Sequence, residues 1–336
     1  MQHFSIANRR YTGSKNKLSS WIKEIIKDNI NEEKSFCDIF AGTGIISETC
    51  LDIFNELVMN DFLFSNEIIY QAFFLNQKYS QEKIDAFLEE FSKLDKNLKS
   101  NYFSEKFGSK FFSIEDAKRI GLIREALENR KKDFNKKEYC ILLASLIYSA
   151  DKSANTVGHY DAYRKINNIE DKFKFLPIEP IQHEKKITIH RKDANQLAKE
   201  LNCDVVYVDP PYNSRQYSRF YHVLENLTQW QKPELFGVAM KPEPENMSDY
   251  CKTTARNAFE DLISNLRART IIVSYNNTYD SKSSSSKNKI SLEEIQSILD
   301  AKGKTIVHSK DYKFFNAGKT DFKNHQEMLF VTKVKP

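Results

Sequence analysis

The hydrophobic positions near the start of the chain follow the two periods of an alternating α/β fold. Apolar residues between 21 and 30 recur at helical spacing, which predicts an amphipathic helix. Residues 35–40 and 57–60 form short apolar runs that predict strands, and residues 45–54 between them predict a second helix. The order strand, helix, strand indicates a βαβ unit.

The pattern changes between residues 64 and 183. Long, charged, amphipathic segments predict helices there, at 68–78, 84–98, 114–131 and 138–149. A loop rich in aromatic, basic and amide side chains follows at 155–165. We therefore predict that residues 64–183 form a mostly helical lobe, inserted into an α/β domain made of residues 1–63 and 184–336.

The α/β pattern resumes after this lobe. Helices are predicted from residue 193 and at 220–230, 259–266 and 291–299. Strands are predicted at 186–189, 204–208, 270–275, 305–307 and 328–333. The Ser/Lys-rich stretch 281–289 predicts a mobile loop. Together these elements predict a Rossmann-like sheet with helices on both faces.

Length and composition narrow the class of protein. The chain has 336 residues, which suits one α/β domain with a sizeable insertion. No apolar run approaches the roughly 18 residues of a membrane span, and the N-terminus lacks a signal-peptide core. The five cysteines are scattered without a Cys-x-x-Cys pair, which favours reduced thiols in the cytoplasm over disulfides or zinc. The net charge of +5 is compatible with a polyanionic partner.

Two of the nine glycines lie in the run Phe40-Ala41-Gly42-Thr43-Gly44, directly after the first predicted strand. Glycines let the backbone approach a ligand, and the start of the following helix offers free N–H groups, so a nucleotide-like cofactor fits. The dinucleotide pattern Gly-x-Gly-x-x-Gly is absent because position 47 is serine. A tight turn without a ligand is the alternative.

Two acidic residues follow predicted strands and allow two interpretations each. Asp61 ends the second strand, where an acid can bind ribose hydroxyls, or it caps the next helix. Asp193 could accept a hydrogen bond from a cofactor adenine amine, or it could cap its own helix.

The run Asp209-Pro210-Pro211-Tyr212 follows the buried strand 204–208 and suits the capture of a planar amine. Adenine N6 is a poor nucleophile, and hydrogen-bond acceptors on its N–H groups stabilise the positive charge that develops during attack. The Asp209 carboxylate and the Pro210 carbonyl can supply two such acceptors, which the prolines hold in place. Tyr212 offers a face for stacking an extruded base. The alternative is a rigid turn with a core tyrosine.

The loop after this run carries Arg215 and Arg219, which either contact phosphates or lie on a solvated surface. His222 and Glu225 stand at helical spacing three apart, which is more typical of a surface hydrogen bond than of a metal site. The sequence therefore predicts no bound metal.

Four motifs occur in a recognisable order: Tyr11-Thr12-Gly13-Ser14-Lys15, Asp38-Ile39-Phe40-Ala41-Gly42-Thr43-Gly44, Asn60-Asp61 and Asp209-Pro210-Pro211-Tyr212. In this order the chain resembles S-adenosylmethionine-dependent DNA N6-adenine methyltransferases of the Dam-like group. The residues after Tyr212 also resemble adenine methylases of FokI-like type IIS restriction-modification systems. The resemblance extends from about residue 9 to 225.

The resemblance implies roles for individual residues. Catalysis would fall to Asp209, Pro210, Pro211 and Tyr212. S-adenosyl-L-methionine would be bound by Tyr11, Lys15, Asp38, Phe40, Ala41, Gly42, Gly44, Asp61, Asp193 and Asp209. The lobe 64–183 is longer and more helical than the family's recognition lobe, so its contacts do not carry over. The residues that we expect to face DNA are Tyr160, Tyr163, Arg164, Lys165, Arg215 and Arg219.

The implied activity is site-specific methylation of a flipped adenine at N6 in duplex DNA. Double-stranded DNA is the expected partner, a cognate restriction endonuclease is a partner that the resemblance allows, and no membrane partner is expected. The expected location is the bacterial cytoplasm, at the nucleoid. RNA adenine and protein amides are alternative substrates, although amide methylases usually carry Asn in place of Asp209. A non-catalytic DNA-binding protein on the same fold is a further alternative.

Overall fold

The computed structural model describes residues 2–94, 97–277, 288–311 and 325–335. The helices in these ranges are α1 Ser19–Asp28, α2 Ile45–Thr49, α3 Phe64–Phe74, α4 Gln81–Ser92, α5 Tyr102–Phe107, α6 Ile114–Asn129, α7 Lys136–Ser153, α8 Ala194–Glu200, α9 Tyr217–Phe220, α10 His222–Gln229, α11 Ala255–Asn265 and α12 Leu292–Lys302. The strands are β1 Ser35–Asp38, β2 Glu56–Asn60, β3 Lys186–His190, β4 Val205–Val208, β5 Thr270–Asn276, β6 Gly303–Asp311 and β7 Gln326–Val334.

The seven strands form one mixed sheet in the order β3-β2-β1-β4-β5-β7-β6. The pairs from β3 to β5 are parallel, and β7 pairs antiparallel with both β5 and β6. From β1 the chain builds outward through β2 and β3, then returns to place β4 on the other side of β1. The gap between the ends of β1 and β4 is therefore the topological switch point, where open α/β sheets bind ligands.

The strands β4 and β5 are buried along their whole length. Their near-continuous Val, Ile and Tyr runs are typical of parallel strands covered on both faces. On one face, side chains of β1, β4 and β5 share an apolar cluster with α8, α11 and α12. Phe36 of β1 lies at an alternate strand position and stacks on Phe54 instead. The fold is thus the α/β, Rossmann-like class that the sequence predicts.

The chain divides into two compact units. One comprises Lys15–Phe62, Lys185–Tyr217 and Asn246–Pro336 and contains the whole sheet. The other comprises Met1–Ser14, Leu63–Glu184 and Ser218–Glu245, so it holds the predicted lobe together with two further segments. Four of its helices begin at side-chain caps: Ser80 caps α4, Asn101 caps α5, Ser113 caps α6 and Asn135 caps α7.

The predicted elements exist with shifted ends, and two helices, α5 and α9, were missed. The helices predicted at 68–78 and 84–98 begin earlier, as α3 and α4, and α5 was not predicted. The strand predicted at 305–307 extends to nine residues as β6. Most of the loop predicted at 281–289 lies outside the described residues.

Candidate active site

The turn after β1 requires glycine at two positions. Gly42 has a φ of 52° and Gly44 a φ of 79°, both in the left-handed region that other residues rarely adopt. The Gly44 N–H donates to the Ala41 carbonyl at 2.7 Å, and α2 begins at the next residue. Glycines in this conformation let a ligand approach the backbone closely at the start of α2.

Asp61 holds this turn from the end of β2. Its Oδ2 accepts a hydrogen bond from the Gly42 backbone N–H at 3.0 Å. The alternative role as a helix cap is wrong, because the N–H groups of Phe64 and Ser65 at the start of α3 donate to Glu225, at 2.9 and 2.8 Å. Asp61 is thus placed beside the glycines, where a ribose-binding acid would be required.

Asp38, the last residue of β1, is a buried carboxyl with one unused oxygen. Its Oδ2 accepts from the Ser47 hydroxyl at 3.0 Å, and its Oδ1 has no hydrogen-bond partner among the described residues. Burial raises the pKa of Asp38 to about 8; Ser47 opposes the rise, and the charges of Asp209 and Asp61 add to it. A cationic ligand group would find here an acceptor that the protein itself does not satisfy.

Asp193 caps α8. Its Oδ1 accepts from the backbone N–H groups of Asn195 and Gln196 at 3.0 and 3.1 Å. The cap interpretation is therefore confirmed, and a contact of Asp193 with a cofactor adenine stays a prediction.

The Asp-Pro-Pro-Tyr turn leaves the sheet next to the glycine turn. Asp38 pairs with Tyr207 across the parallel strands β1 and β4, and the Ile39 N–H donates to the Tyr207 carbonyl at 3.1 Å. Asp209 therefore follows the carboxyl end of β4, next to the carboxyl end of β1, where the glycine turn begins. With Asp61 bound to Gly42, three of the four motifs meet at the switch point.

Lys15, from the N-terminal motif, lies between two carboxylates. Its Nζ is 3.1 Å from Asp209 Oδ1 and 2.9 Å from Glu327 Oε1, and the lysine is 5% exposed. Burial alone would lower the pKa of Lys15, but the charges of Asp209 and Glu327 outweigh burial and raise it. The sequence did not assign a role to Glu327; the available signal was an acid inside the apolar run that became β7.

Burial raises the pKa of Asp209 to about 6, while Lys15 lowers it and Glu327 raises it. The ionised form thus persists at neutral pH. It is the form that can accept hydrogen bonds from both an amine and the Tyr212 hydroxyl.

The Tyr212 ring is partly buried and packs edge-on against Tyr275, with ring centroids 4.8 Å apart. Its hydroxyl donates to Asp209 Oδ1 and accepts from Lys15. Stacking of a base on this ring stays a prediction. The polar role of the hydroxyl is a structural finding that the sequence did not indicate.

Tyr11 lies in the unit that contains the helical lobe. It stacks on Tyr221 with centroids 4.8 Å apart, and the Arg9 guanidinium lies 4.9 Å from its ring centroid. Its predicted contact with the cofactor stays a prediction.

The structure corrects one of the predicted DNA contacts. Tyr160 is fully buried, and its hydroxyl donates to Asp151 at 3.0 Å. It therefore packs in the interior of its unit and does not face DNA. In the same loop Tyr163 is half-buried against Phe111, whereas Arg164 and Lys165 are exposed.

The two arginines after the Asp-Pro-Pro-Tyr turn are partly buried. Arg219 donates from Nη1 to the Pro242 carbonyl at 2.6 Å, which occupies part of its guanidinium. Phosphate contacts of Arg215 and Arg219 stay predictions.

His222 and Glu225 do not form the surface pair that their spacing suggested. Both are buried, and His222 lies between the carbonyls of Arg219 and Ala239 at 3.0 and 2.7 Å. Burial lowers the pKa of His222 to about 4. Among the described residues, no group of three His, Cys, Asp or Glu side chains could hold a metal ion. Within the same part of the chain, no helix is long and apolar enough to cross a membrane.

Comparisons with known proteins agree with this geometry. Residues 11–282 match the family profile of the D12 class N6 adenine-specific DNA methyltransferase. The type II methyltransferase M.NlaIII of Neisseria lactamica is 31% identical over 94% of this chain and 95% of its own length. M.CviAII of Paramecium bursaria Chlorella virus 1 is 32% identical over 91% of this chain and 92% of its own.

Other relatives are longer. M.FokI of Planomicrobium okeanokoites is 32% identical over 88% of this chain but only 47% of its own length. The chain likewise spans about half of the modification methylases LlaI, at 46%, and StsI, at 52%. The profile nevertheless covers most of the residues, including the glycine turn and the Asp-Pro-Pro-Tyr turn. The chain therefore belongs to the D12 class of N6 adenine-specific DNA methyltransferases.

Proposed function

We propose that the chain transfers a methyl group from S-adenosyl-L-methionine to N6 of an adenine flipped out of duplex DNA, at one short recognition sequence. The observation that carries this proposal is the pairing of β1 with β4. It sets the glycine turn and Asp209 side by side at the switch point, so a methyl donor on one turn would face an amine held on the other.

The residues around the glycine turn fit the cofactor. S-adenosylmethionine carries an ammonium group, a sulfonium and ribose hydroxyls. The unused oxygen of Asp38 suits the ammonium group, the left-handed Gly42 and Gly44 admit close approach, and Asp61 suits the ribose. When bound, this cofactor supplies an electrophilic methyl group.

Asp209 and Pro210 would hold the acceptor amine. An oxygen of Asp209 and the Pro210 carbonyl accept its two N–H groups, which directs the nitrogen lone pair at the methyl carbon. On accepting the methyl group N6 would gain positive charge while the sulfonium would be left as a neutral thioether, and one N6 proton would then pass to solvent. The negative charge of Asp209 stabilises that intermediate charge.

Duplex DNA is the proposed partner, and the exposed Arg164 and Lys165 are the proposed phosphate contacts. The relatives M.NlaIII and M.FokI are named type II methyltransferases. We infer from them a role in restriction-modification at the bacterial nucleoid, beside an endonuclease of the same specificity.

The test is expression in a host that lacks adenine methylation, with modified bases mapped by single-molecule sequencing. The expected result is N6-methyladenine in one short motif. Unmodified DNA from cells that contain folded protein would contradict the proposal and favour RNA or protein amides as substrates.

Substitution of Asp209 gives the matched control for this experiment. Asp209→Ala removes the acceptor of the amine, so it should abolish methylation. Because Asp209 lies on the β4 side, cofactor affinity measured by calorimetry should stay within a fewfold of the parent. Full methylation by the variant would remove Asp209 from the proposed mechanism.

A further inference from the structure

We propose that Glu327 of β7 is a positioning residue of the active site. It holds the Lys15 ammonium so that Lys15 and Tyr212 engage one oxygen of Asp209 and leave the other oxygen for the adenine amine. This inference rests on the proposed function.

The contacts of Glu327 place it next to the reacting carboxylate. Its Oε1 accepts from the Lys15 ammonium at 2.9 Å and from the Ser274 hydroxyl at 2.8 Å. The same oxygen is 3.4 Å from the Tyr212 hydroxyl. Glu327 is 4% exposed, so these contacts lie away from water, where charge–charge interactions are strong.

The arrangement fixes which oxygen of Asp209 is used. Both Lys15 and the Tyr212 hydroxyl contact Oδ1. Asp209 is 17% exposed, compared with 5% for Lys15 and 4% for Glu327. A carboxylate with two donors on one oxygen can still accept a further N–H on the other. Lys15 thus acts as an orienting group, and Glu327 fixes Lys15.

The charges of Lys15, Asp209 and Glu327 do not balance, and stability of the fold alone does not explain the imbalance. One carboxylate would neutralise Lys15, yet two buried carboxylates contact it. The cluster therefore carries an excess negative charge, which is unfavourable away from water. We assign this excess to the fixing of Lys15 beside Asp209, the acceptor that the reaction needs.

The cluster predicts a shift of the pH dependence. The ionisable groups that face Asp209 from the surrounding elements are Lys15, Asp38, Tyr207, Tyr212 and Glu327. Lys15 lowers the pKa of Asp209 and Glu327 raises it, around a value of about 6. Activity needs ionised Asp209, so it falls as the pH drops through this pKa. Removing the charge of Glu327 should shift this acid limb of the pH–rate profile to lower pH, and removing the charge of Lys15 should shift it to higher pH.

The experiment compares Glu327→Gln, Lys15→Met and the double variant in single-turnover methylation of genomic DNA from the methylation-deficient host, over a pH series. Loss of a buried charged hydrogen bond predicts a fall in the transfer rate of about 10- to 100-fold for Glu327→Gln, with cofactor affinity unchanged. The acid limbs of the two single variants should shift in opposite directions. The double variant should be no slower than Lys15→Met, because Glu327 acts through Lys15.

Glu33→Gln is the matched control. Glu33 is also mostly buried and pairs with a lysine of β7, Lys333, at 3.6 Å, but it lies outside the cluster. It should keep the parental rate and pH profile. If Glu327→Gln does not fold, Ser274→Ala removes the 2.8 Å contact instead. It should slow transfer about threefold to tenfold, the effect of one hydrogen bond, and only when Lys15 is present.

The outcomes separate this inference from the proposed function. An inactive parent protein on DNA would contradict the proposed function. An active parent together with a Glu327→Gln variant of parental rate and pH profile would overturn the role of Glu327 alone. Additive losses in the double variant would also overturn it, since they would mean that Glu327 does not act through Lys15.

Discussion

Asp38 shows at the scale of one residue how a ligand site can cost stability. A buried carboxyl with a pKa of about 8 is mostly protonated at neutral pH, whereas the same group in the unfolded chain is ionised above about 4. Between these values the folded state holds a proton that the unfolded state has released. The free energy of unfolding therefore falls as the pH rises from about 4 to 8.

Asp38→Asn should remove this pH dependence. An asparagine oxygen can still accept from Ser47 at the position that Asp38 Oδ2 occupies, but it carries no charge to be penalised. We expect the cofactor-free variant to be more stable than the parent at pH 8, by on the order of 3 kcal/mol. Thermal melts at pH 5 and pH 8 measure this. Equal melting temperatures of variant and parent at both pH values would contradict it.

The same substitution should weaken cofactor binding. A cationic ligand group stabilises ionised Asp38, so binding at pH 7 should release a proton from the parent protein. Calorimetry in two buffers of different ionisation enthalpy detects this release. The Asn variant should bind S-adenosylmethionine more weakly and release no proton from this site. A variant with parental affinity and proton release would exclude contact between Asp38 and the cofactor.

Tyr212 has two separable parts. Its hydroxyl donates to Asp209, and its ring packs on Tyr275. Tyr212→Phe removes only the hydroxyl and should slow transfer about tenfold, the effect of one hydrogen bond. Tyr212→Ala also removes the proposed stacking face and should be slower still. Equal rates for Phe and Ala would argue against stacking, and a parental rate for Phe would argue against a role of the hydroxyl.

At the scale of elements, the sequence predicted what local pattern controls. The apolar runs of β4 and β5 are continuous because both faces of the sheet are covered, and they were predicted almost to the residue. The six-residue helix α5 is too short for a period to emerge. The helix begins at the Asn101 cap, and hydrophobic periodicity takes no account of capping residues.

The candidate site was predictable only where its residues are neighbours in the chain. The glycine turn and the Asp-Pro-Pro-Tyr turn each show their chemistry locally. The meeting of Lys15 with Glu327 depends on the antiparallel pairing of β7 between β5 and β6, which no local pattern indicates. Tyr160 was misassigned because the local sequence of a polar loop does not indicate whether an aromatic residue in it is buried.

The start of α3 depends on a residue that is distant in sequence. Glu225 of α10 accepts from the N–H groups of Phe64 and Ser65, and burial raises its pKa. Glu225→Ala removes the acceptor of both N–H groups, of which that of Ser65 is buried, and this should cost about 2–4 kcal/mol. Glu225→Gln keeps one acceptor and should cost less.

Chemical denaturation of the three proteins measures these differences. Glu82→Ala is the control, because this acid also stands in the first turn of a lobe helix, α4, but is exposed. It should change stability by less than about 0.5 kcal/mol. A similar loss for Glu82→Ala and Glu225→Ala would mean that burial of the cap is not what stabilises α3.

At the scale of the whole molecule, the carboxylates and lysine of the candidate site belong to one unit, and the two exposed residues proposed to contact phosphates belong to the other. Lys15, Asp38, Asp61, Asp209 and Glu327 all belong to the unit that contains the sheet. Arg164 and Lys165 belong to the unit that contains the helical lobe. If the two units serve cofactor and DNA respectively, substitutions should affect one affinity and leave the other unchanged.

Arg164→Ala/Lys165→Ala should weaken DNA binding and leave the cofactor dissociation constant unchanged. Each lost phosphate contact lowers the slope of log affinity against log salt by about 0.9, so two contacts predict a drop of about 1.8. Lys131→Ala/Lys132→Ala is the charge-matched control, since both lysines are exposed in the same unit. It should keep the parental slope, because the effect depends on the position of the two basic residues and not on net charge. Asp61→Ala should show the converse, with weaker cofactor binding and the parental salt slope. An equal loss of slope in both double variants would mean that the loop 155–165 contributes only to the overall positive charge. The DNA-recognition surface would then lie elsewhere in the chain.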